Sequence, residues 1–402
     1  MKNHSIPISI LDTDLYKLTM QSVILTNFPT SKVSYVFINR SNDERKLISR
    51  NCFEKIKSKI NQLEHLKLTK EEKNWLEISC PYFTTSYLDY LFNFKFKPQD
   101  HIKLQLINQD SEIQGLGELE IKISGLWSET ILYEVPIMSI ISETYFQTMN
   151  PTWSNKTQFI QSVGKSKTLL TQGCKFVEFG TRRRRSYETQ EIVIQALLKG
   201  VSQTDQHQEN GAFLGTSNVH FAMKFGLKPI GTIAHEFVMG IAALNGYHQS
   251  NLLALDLWEK SFGNQPNLLV AITDTFTTGA FFKEFESDLD RMNRWTGLRQ
   301  DSGNPKEFVK LVKQLWINLG IDPKSKLIVF SDGLDVQKCL ELHKFCKEEG
   351  VNESYGIGTH LTNDFQQLDE NGKEIGPSKA LNIVIKLSSI DDHPCVKLSD
   401  GK

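Results

Sequence analysis

Cysteine is scarce in this chain, with six residues in 402: Cys52, Cys80, Cys174, Cys339, Cys346 and Cys395. None stands in a Cys-x-x-Cys pair or at zinc-site spacing, which excludes a disulfide framework and a cysteine-zinc module and reads as reduced thiols. An excess of charge is also lacking, since 46 Lys and Arg face 47 Asp and Glu. Such a balance creates no global field to gather nucleic acid or an anionic membrane, so neither is expected as a partner. No apolar run approaches a membrane span, and the opening MKNHSIPISILDTDLYK lacks the apolar centre of a secretory signal. The expected location is the cytoplasm. Finally, no G-x-G-x-x-G follows the first strand of the α/β part, which argues against a dinucleotide-binding domain.

A length of 402 residues allows more than one domain. Residues 1–130 mix elements: LDTDLYKLTMQSVIL suits a helix, KVSYVFINR a strand, residues 43–68 a charged helix, and HIKLQLI with ELEIKIS two antiparallel strands of period two. At the far end LNIVIKLSSI and HPCVKLSD read as strands around a turn at Asp391 and Asp392, and residues 380–402 are expected to return to the N-terminal α+β module. Residues 131–379 have another rhythm. Short apolar strands at 175–180, 212–216, 229–233, 267–273, 297–301, 326–331 and 354–358 alternate with amphipathic helices at 187–199, 236–244, 281–291, 305–319 and 336–349. This alternation implies parallel pairing. The expected fold class is α/β, a closed βα barrel of about seven parallel strands with the N-terminal module beside it; an open doubly wound sheet is the alternative.

Polar residues that a fold does not need follow these strands: Glu178, Thr181 and Arg182; Ser217 and Asn218; Thr232 and His235; Asp274 and Thr275; Arg299, Asp301 and Ser302; Ser331, Asp332 and Gly333; Gly356, Gly358 and Thr359. A βα barrel gathers all of them on one rim. Helix capping accounts for Asp274 or Asp332 singly, but capping needs neither arginine nor histidine in these loops. His235 stands at a strand end where a helix offers free N–H groups, a place that favours an anion, and its imidazole there serves as ligand, base or nucleophile. Gly358 and Thr359 suit phosphate oxygens, Arg299 beside Asp301 offers a planar cation and a carboxylate for a sugar hydroxyl or Mg²⁺, and Asp332 with Gly333 suits ribose hydroxyls. The run at residues 182–185 puts four arginines at an expected helix start, against the macrodipole, which argues for a bound anion at Arg182.

In order along the chain, DTDLYKLTM, EFGTRRRRS, GTSN, PIGTIAHEFVMG, DTF, RQDSG, SDGLDV and GIGT resemble nicotinate phosphoribosyltransferase over nearly the whole length. The resemblance implies a type II phosphoribosyltransferase, an irregular βα barrel joined to an N-terminal module that the C-terminus helps complete, and a homodimer with sites shared across its interface. It implies transfer of phosphoribose from phosphoribosyl pyrophosphate to nicotinate in NAD salvage, coupled to ATP hydrolysis with Mg²⁺. Residue by residue, it makes His235 the group phosphorylated by ATP. Tyr16, from a neighbouring subunit, and Phe179 flank the pyridine ring. Thr232 and Arg299 lie at nicotinate, and Arg182 near ring and phosphates. Asp301 and Asp332, with Gly333 beside the latter, meet ribose, and Gly358 and Thr359 the 5′-phosphate. A nicotinamide phosphoribosyltransferase is the alternative enzyme; a nucleic-acid binder using residues 182–185 is the alternative of another class.

Overall fold

The computed structural model describes residues 7–107, 115–204, 211–364, 366–369 and 371–401. Six parallel strands form one sheet in the order Ala212–Thr216, Lys175–Glu178, Asn352–Ile357, Leu327–Phe330, Gly297–Gln300, Val270–Ile272. Every pairing is parallel, so the loops after the strands emerge on the same side. Helices Tyr187–Gln203, Pro305–Asn318 and Val336–Glu349 bury an apolar stripe each, the last two with Phe308, Val312 and Leu315, and Cys339, Leu342 and Cys346, at i, i+3, i+4 spacing or its next turn.

The seventh expected strand, at 229–233, is not a strand. Only Pro229 makes a bridge, parallel to Thr216, and Ile230 N donates to Thr216 O at 2.9 Å. On the other side the Thr232 hydroxyl donates to Val270 O at 3.3 Å. This extended segment therefore spans the gap between the first and last strands and makes the barrel irregular. Pro229 has no N–H for a ladder. Gly231 lies under helix Leu15–Asn27, where a Cβ would sit 3.0 Å from Tyr16 N, so the chain is held by the N-terminal helix instead of by a second neighbour strand.

A second, antiparallel sheet runs His393–Pro394, Ile383–Ile390, Lys32–Asn39, Leu116–Leu126, Leu47–Ser49, with Ile102–Ile107 also on Leu116–Leu126. Thus a strand from the C-terminal part pairs with a strand near the N-terminus along Val33 to Asn39. The hairpin turn at Asp391 and Asp392 uses positive φ at both (44° and 64°), a conformation that Asp is among the few residues with a side chain to adopt readily. Residues 43–68 are not one helix: a short 3₁₀ turn and the strand Leu47–Ser49 precede helix Arg50–Asn61, which Ser49 caps through Cys52 N. The expected helix at 281–291 is likewise two helices, Thr278–Phe285 and Leu289–Arg294. The strand expected over HPCVKLSD stops at Pro394; residues 395–401 leave the sheet and cross onto the barrel rim, where Leu398 N donates to Thr275 O at 2.9 Å.

Candidate active site

Helix His235–Asn245 starts where the extended segment ends, with Ala234 in β conformation before it. The His235 ring is held on both edges. Nδ1 lies 3.0 Å from Thr275 Oγ1, and Nε2 lies 3.0 Å from Asp301 Oδ2 and 2.7 Å from Lys397 Nζ. Burial disfavours the imidazolium, and the Lys397 charge adds to this, so His235 titrates below the ordinary imidazole range in spite of Asp301.

Asp301 is the centre of the polar cluster. Burial opposes its charge, yet Arg299, His235 and Lys397 outweigh burial and hold it well below the usual carboxylate range. Ser331 Oγ lies 2.7 Å from Asp301 Oδ1 and accepts Arg299 Nε–H at 3.1 Å. The guanidinium also donates to Ile233 O at 3.2 Å and to Asp301 Oδ1 at 3.4 Å. Two of its five N–H donors then remain for a ligand. Asp274, on the next loop, stands with Oδ1 3.8 Å from His235 Nε2, and this buried oxygen has no hydrogen-bond partner.

The remaining expected residues fall around this cluster. Thr232 shares the segment with His235, and its carbonyl accepts from Thr19 Oγ1 at 2.9 Å. Phe179 is tied to the neighbouring strand by its N–H to Ile357 O at 2.8 Å, and Gly358 is needed there because a Cβ would meet Phe179 O at 2.9 Å. Thr359 opens the short helix Thr359–Thr362. Asp332 and Gly333 follow Ser331 and are exposed on the rim, Gly333 with φ 55°.

The four arginines have four different fates, and they do not begin the helix, which starts at Tyr187 with Ser186 as its cap. Arg182 is half exposed at the rim and pairs with Glu134 at 3.2 Å. Arg183 donates to Ile383 O at 2.8 Å. Arg184 is fully buried against Asp12, with two N–H bonds of 2.8 and 2.7 Å, and Arg185 is fully buried between the rings of Phe146 and Trp153. Of the four, Arg182 is the most exposed.

Tyr16 is buried in its own chain, with its backbone against Gly231 and its ring within the field of Arg182. These contacts set Tyr16 beside Arg182 of its own chain. The adjacent Lys17 is fully buried between Glu134 and Glu236, each at 2.5 Å; Glu236 also accepts from Tyr35 Oη and Trp127 Nε1. Burial opposes these charges, but mutual pairing raises Lys17 and lowers Glu134. A chain of alternating charge, Arg182, Glu134, Lys17, Glu236, thus fastens the start of the His235 helix to the N-terminal helix.

Sequence reasoning missed Lys17, Glu134, Glu236, Lys397 and Asp400. Lys397 had a signal of its own, the alternation of polar and apolar residues in CVKLSD, which identifies an extended segment but not the surface it covers.

Residues 11–142 match the nicotinate phosphoribosyltransferase N-terminal domain model and residues 174–402 the nicotinate phosphoribosyltransferase family model. The chain is 43% identical to a probable nicotinate phosphoribosyltransferase of Schizosaccharomyces pombe, over 98% of this chain and 93% of that one. To the nicotinate phosphoribosyltransferase of Methanosarcina mazei it is 39% identical, with the same coverage. A crystal structure of a putative nicotinate phosphoribosyltransferase from Saccharomyces cerevisiae superposes with a TM-score of 0.93 at 37% identity, covering 100% of this chain and 95% of that one. One from Porphyromonas gingivalis gives 0.86 at 33%, covering 98% and 95%. By sequence over both parts and by fold, the chain belongs to the nicotinate phosphoribosyltransferase family.

Proposed function

We propose that this chain transfers phosphoribose from phosphoribosyl pyrophosphate to nicotinate, giving nicotinate mononucleotide and pyrophosphate, and couples the transfer to ATP hydrolysis. The observation that carries the proposal is the cluster of Arg299, Asp301 and His235 at the rim of a family barrel. Pyridine nitrogen is a modest nucleophile, so the work is to hold it behind the anomeric carbon and to neutralise the departing pyrophosphate. In this reading Phe179 and Tyr16 hold the ring, while Arg299 and Thr232 take the carboxylate. Asp301, Asp332 and Gly333 serve ribose, Gly358 and Thr359 the 5′-phosphate, and Arg182 the phosphates.

His235 has the character of a phosphoryl acceptor: burial disfavours its imidazolium form, it stands at a helix start, and it has Thr275 at Nδ1 and Lys397 at Nε2. The residues present also fit Mg²⁺. Donor atoms of His235, Asp274 and Asp301 lie within 4.8 Å of one another, and the buried Asp274 Oδ1 is without a hydrogen-bond partner. A hard cation prefers the two carboxylates, Asp274 and Asp301, to the imidazole. When bound it would supply charge to the phosphate oxygens.

We also propose a cytoplasmic enzyme made of a module over residues 1–130, joined by 380–394, and a barrel over 131–379, with residues 395–401 lying on the barrel rim. Among the described residues no helix is long and apolar enough to cross a membrane. A homodimer with shared sites belongs to the same proposal on family grounds, with Tyr16 excluded from the shared residues. The test is pyrophosphate release with nicotinate or nicotinamide, with and without ATP. Nicotinate should be used far better and ATP should stimulate it; equal use of the two bases would sink the substrate assignment.

A further inference from the structure

The segment after Pro394 crosses the mouth of the barrel as an extended strap. Val396 and Leu398 face outward, 40% and 54% exposed, whereas Lys397 and Ser399 turn in, at 18% and 6%. The strap is fixed on both sides of Lys397. Cys395 N donates to Ser388 O at 2.9 Å and Leu398 N to Thr275 O at 2.9 Å. Ser399 turns through φ 63°, and Asp400 then bonds back three times: its N–H donates to Ser302 Oγ at 2.9 Å, and its carboxylate accepts from Thr278 N at 2.8 Å and from Thr278 Oγ1 at 2.5 Å. The ammonium is set 2.7 Å from His235 Nε2, with Asp301 Oδ2 at 3.9 Å and Asp274 Oδ2 at 4.0 Å.

We propose that Lys397 is a further catalytic residue, the cation that the C-terminal strap brings to the phosphoryl group in transit to His235. The assignment rests on the reading of His235 as the acceptor of that group. Two carboxylates face the same nitrogen, and a triphosphate entering beside them meets repulsion that a cation has to offset. Lys397 stands on the ring nitrogen through which the γ-phosphorus bonds. With the proton on Nδ1 and directed to Thr275 Oγ1, the Nε2 lone pair forms the N–P bond. The bond from phosphorus to the β,γ-bridging oxygen breaks, ADP leaves with that electron pair, and no proton is transferred. The ammonium then passes from the lone pair to the non-bridging oxygens, for which three rotatable donors on one compact charge are suited. Between turnovers Asp274 and Asp301 hold it in place.

The competing role is neutralisation of the two carboxylates, which bound Mg²⁺ would make redundant. The experiment is therefore done on the full chain at saturating Mg²⁺. Wild type, Lys397→Met, Lys397→Gln and Lys397→Arg are incubated with γ-labelled ATP, and acid-labile protein label, the ratio of ATP-stimulated to ATP-free nucleotide formation, and melting temperature are measured. The neutral variants should label at least about tenfold more slowly, with the stimulation ratio falling towards one, and Lys397→Arg should recover a large part of both. Labelling at the wild-type rate in a folded neutral variant overturns the proposal, as does a loss in Lys397→Arg equal to that in Lys397→Met. Wild-type protein that forms nucleotide yet takes no label sinks the acceptor reading of His235 and this role with it. Normal label in both wild type and Lys397→Met sinks the lysine alone.

Discussion

At the scale of single residues, the same side chain is spent on structure or on ligand according to its partners. Arg299 retains two free donors, so Arg299→Ala should raise the nicotinate KM by about tenfold or more, as loss of a charge-assisted hydrogen bond predicts. Steady-state kinetics with nicotinate varied would check it; an unchanged KM would remove the residue from the carboxylate site. Arg184, two positions beyond the exposed Arg182, serves the fold instead. Burial opposes charge on Asp12, but Arg184 outweighs it and lowers the Asp12 pKa. A carboxyl with a depressed folded pKa contributes stability above its unfolded value, about 4, and loses it as pH falls towards the folded value. Asp12→Asn should cost about 3–5 kcal/mol at neutral pH, because it leaves Arg184 buried without its anion. Urea melts of both proteins should then converge as pH drops below about 4.

Elements are fixed here by what lies against them as much as by their own propensity. Gly240 in helix His235–Asn245 is an example, since a Cβ there would sit 2.4 Å from Trp127 Cη2. Alanine would gain about 1 kcal/mol of helix propensity, but overpacking a buried indole costs about 1–3 kcal/mol, so Gly240→Ala should lower stability on balance. Trp127 also donates to Glu236 at the start of the same helix. A higher melting temperature in Gly240→Ala would show that the indole moves aside at no cost. The strap is held at its end by one carboxylate at the start of helix Thr278–Phe285. Asp400→Ala should remove about 1 kcal/mol of capping and expose residues 395–401 to limited proteolysis, read by mass spectrometry of the products.

For the molecule as a whole, the decisive feature is that the N-terminal helix closes its own chain's barrel. Leu15 N donates to Ser217 O at 2.8 Å, Thr19 Oγ1 to Thr232 O at 2.9 Å, and Lys17 bridges Glu134 and Glu236. On the proposal that Tyr16 serves the barrel its own helix packs on, Tyr16 and Asp301 act in one site. Mixing inactive Tyr16→Ala chains with inactive Asp301→Ala chains should therefore restore no activity, even under conditions that form hybrids. Recovery of a substantial fraction of wild-type activity in the hybrids would put Tyr16 in a partner's site.

The sequence by itself determined which residues crowd the rim, because strand ends are marked by local apolar runs and the residues after them have no local structural task. It determined the βα rhythm for the same reason: periodicity is written in neighbouring positions. Tertiary structure alone decided three things. It withheld strand status from residues 229–233, whose second neighbour is a helix more than 200 positions earlier. It divided the arginine run, since the anion that buries Arg184 is 172 positions away. And it laid Lys397 on His235, 162 positions apart, where an alternating segment could as well have joined a sheet. In each case the energy lies in desolvated charge or in a backbone partner distant along the chain, and local pattern carries no information about either.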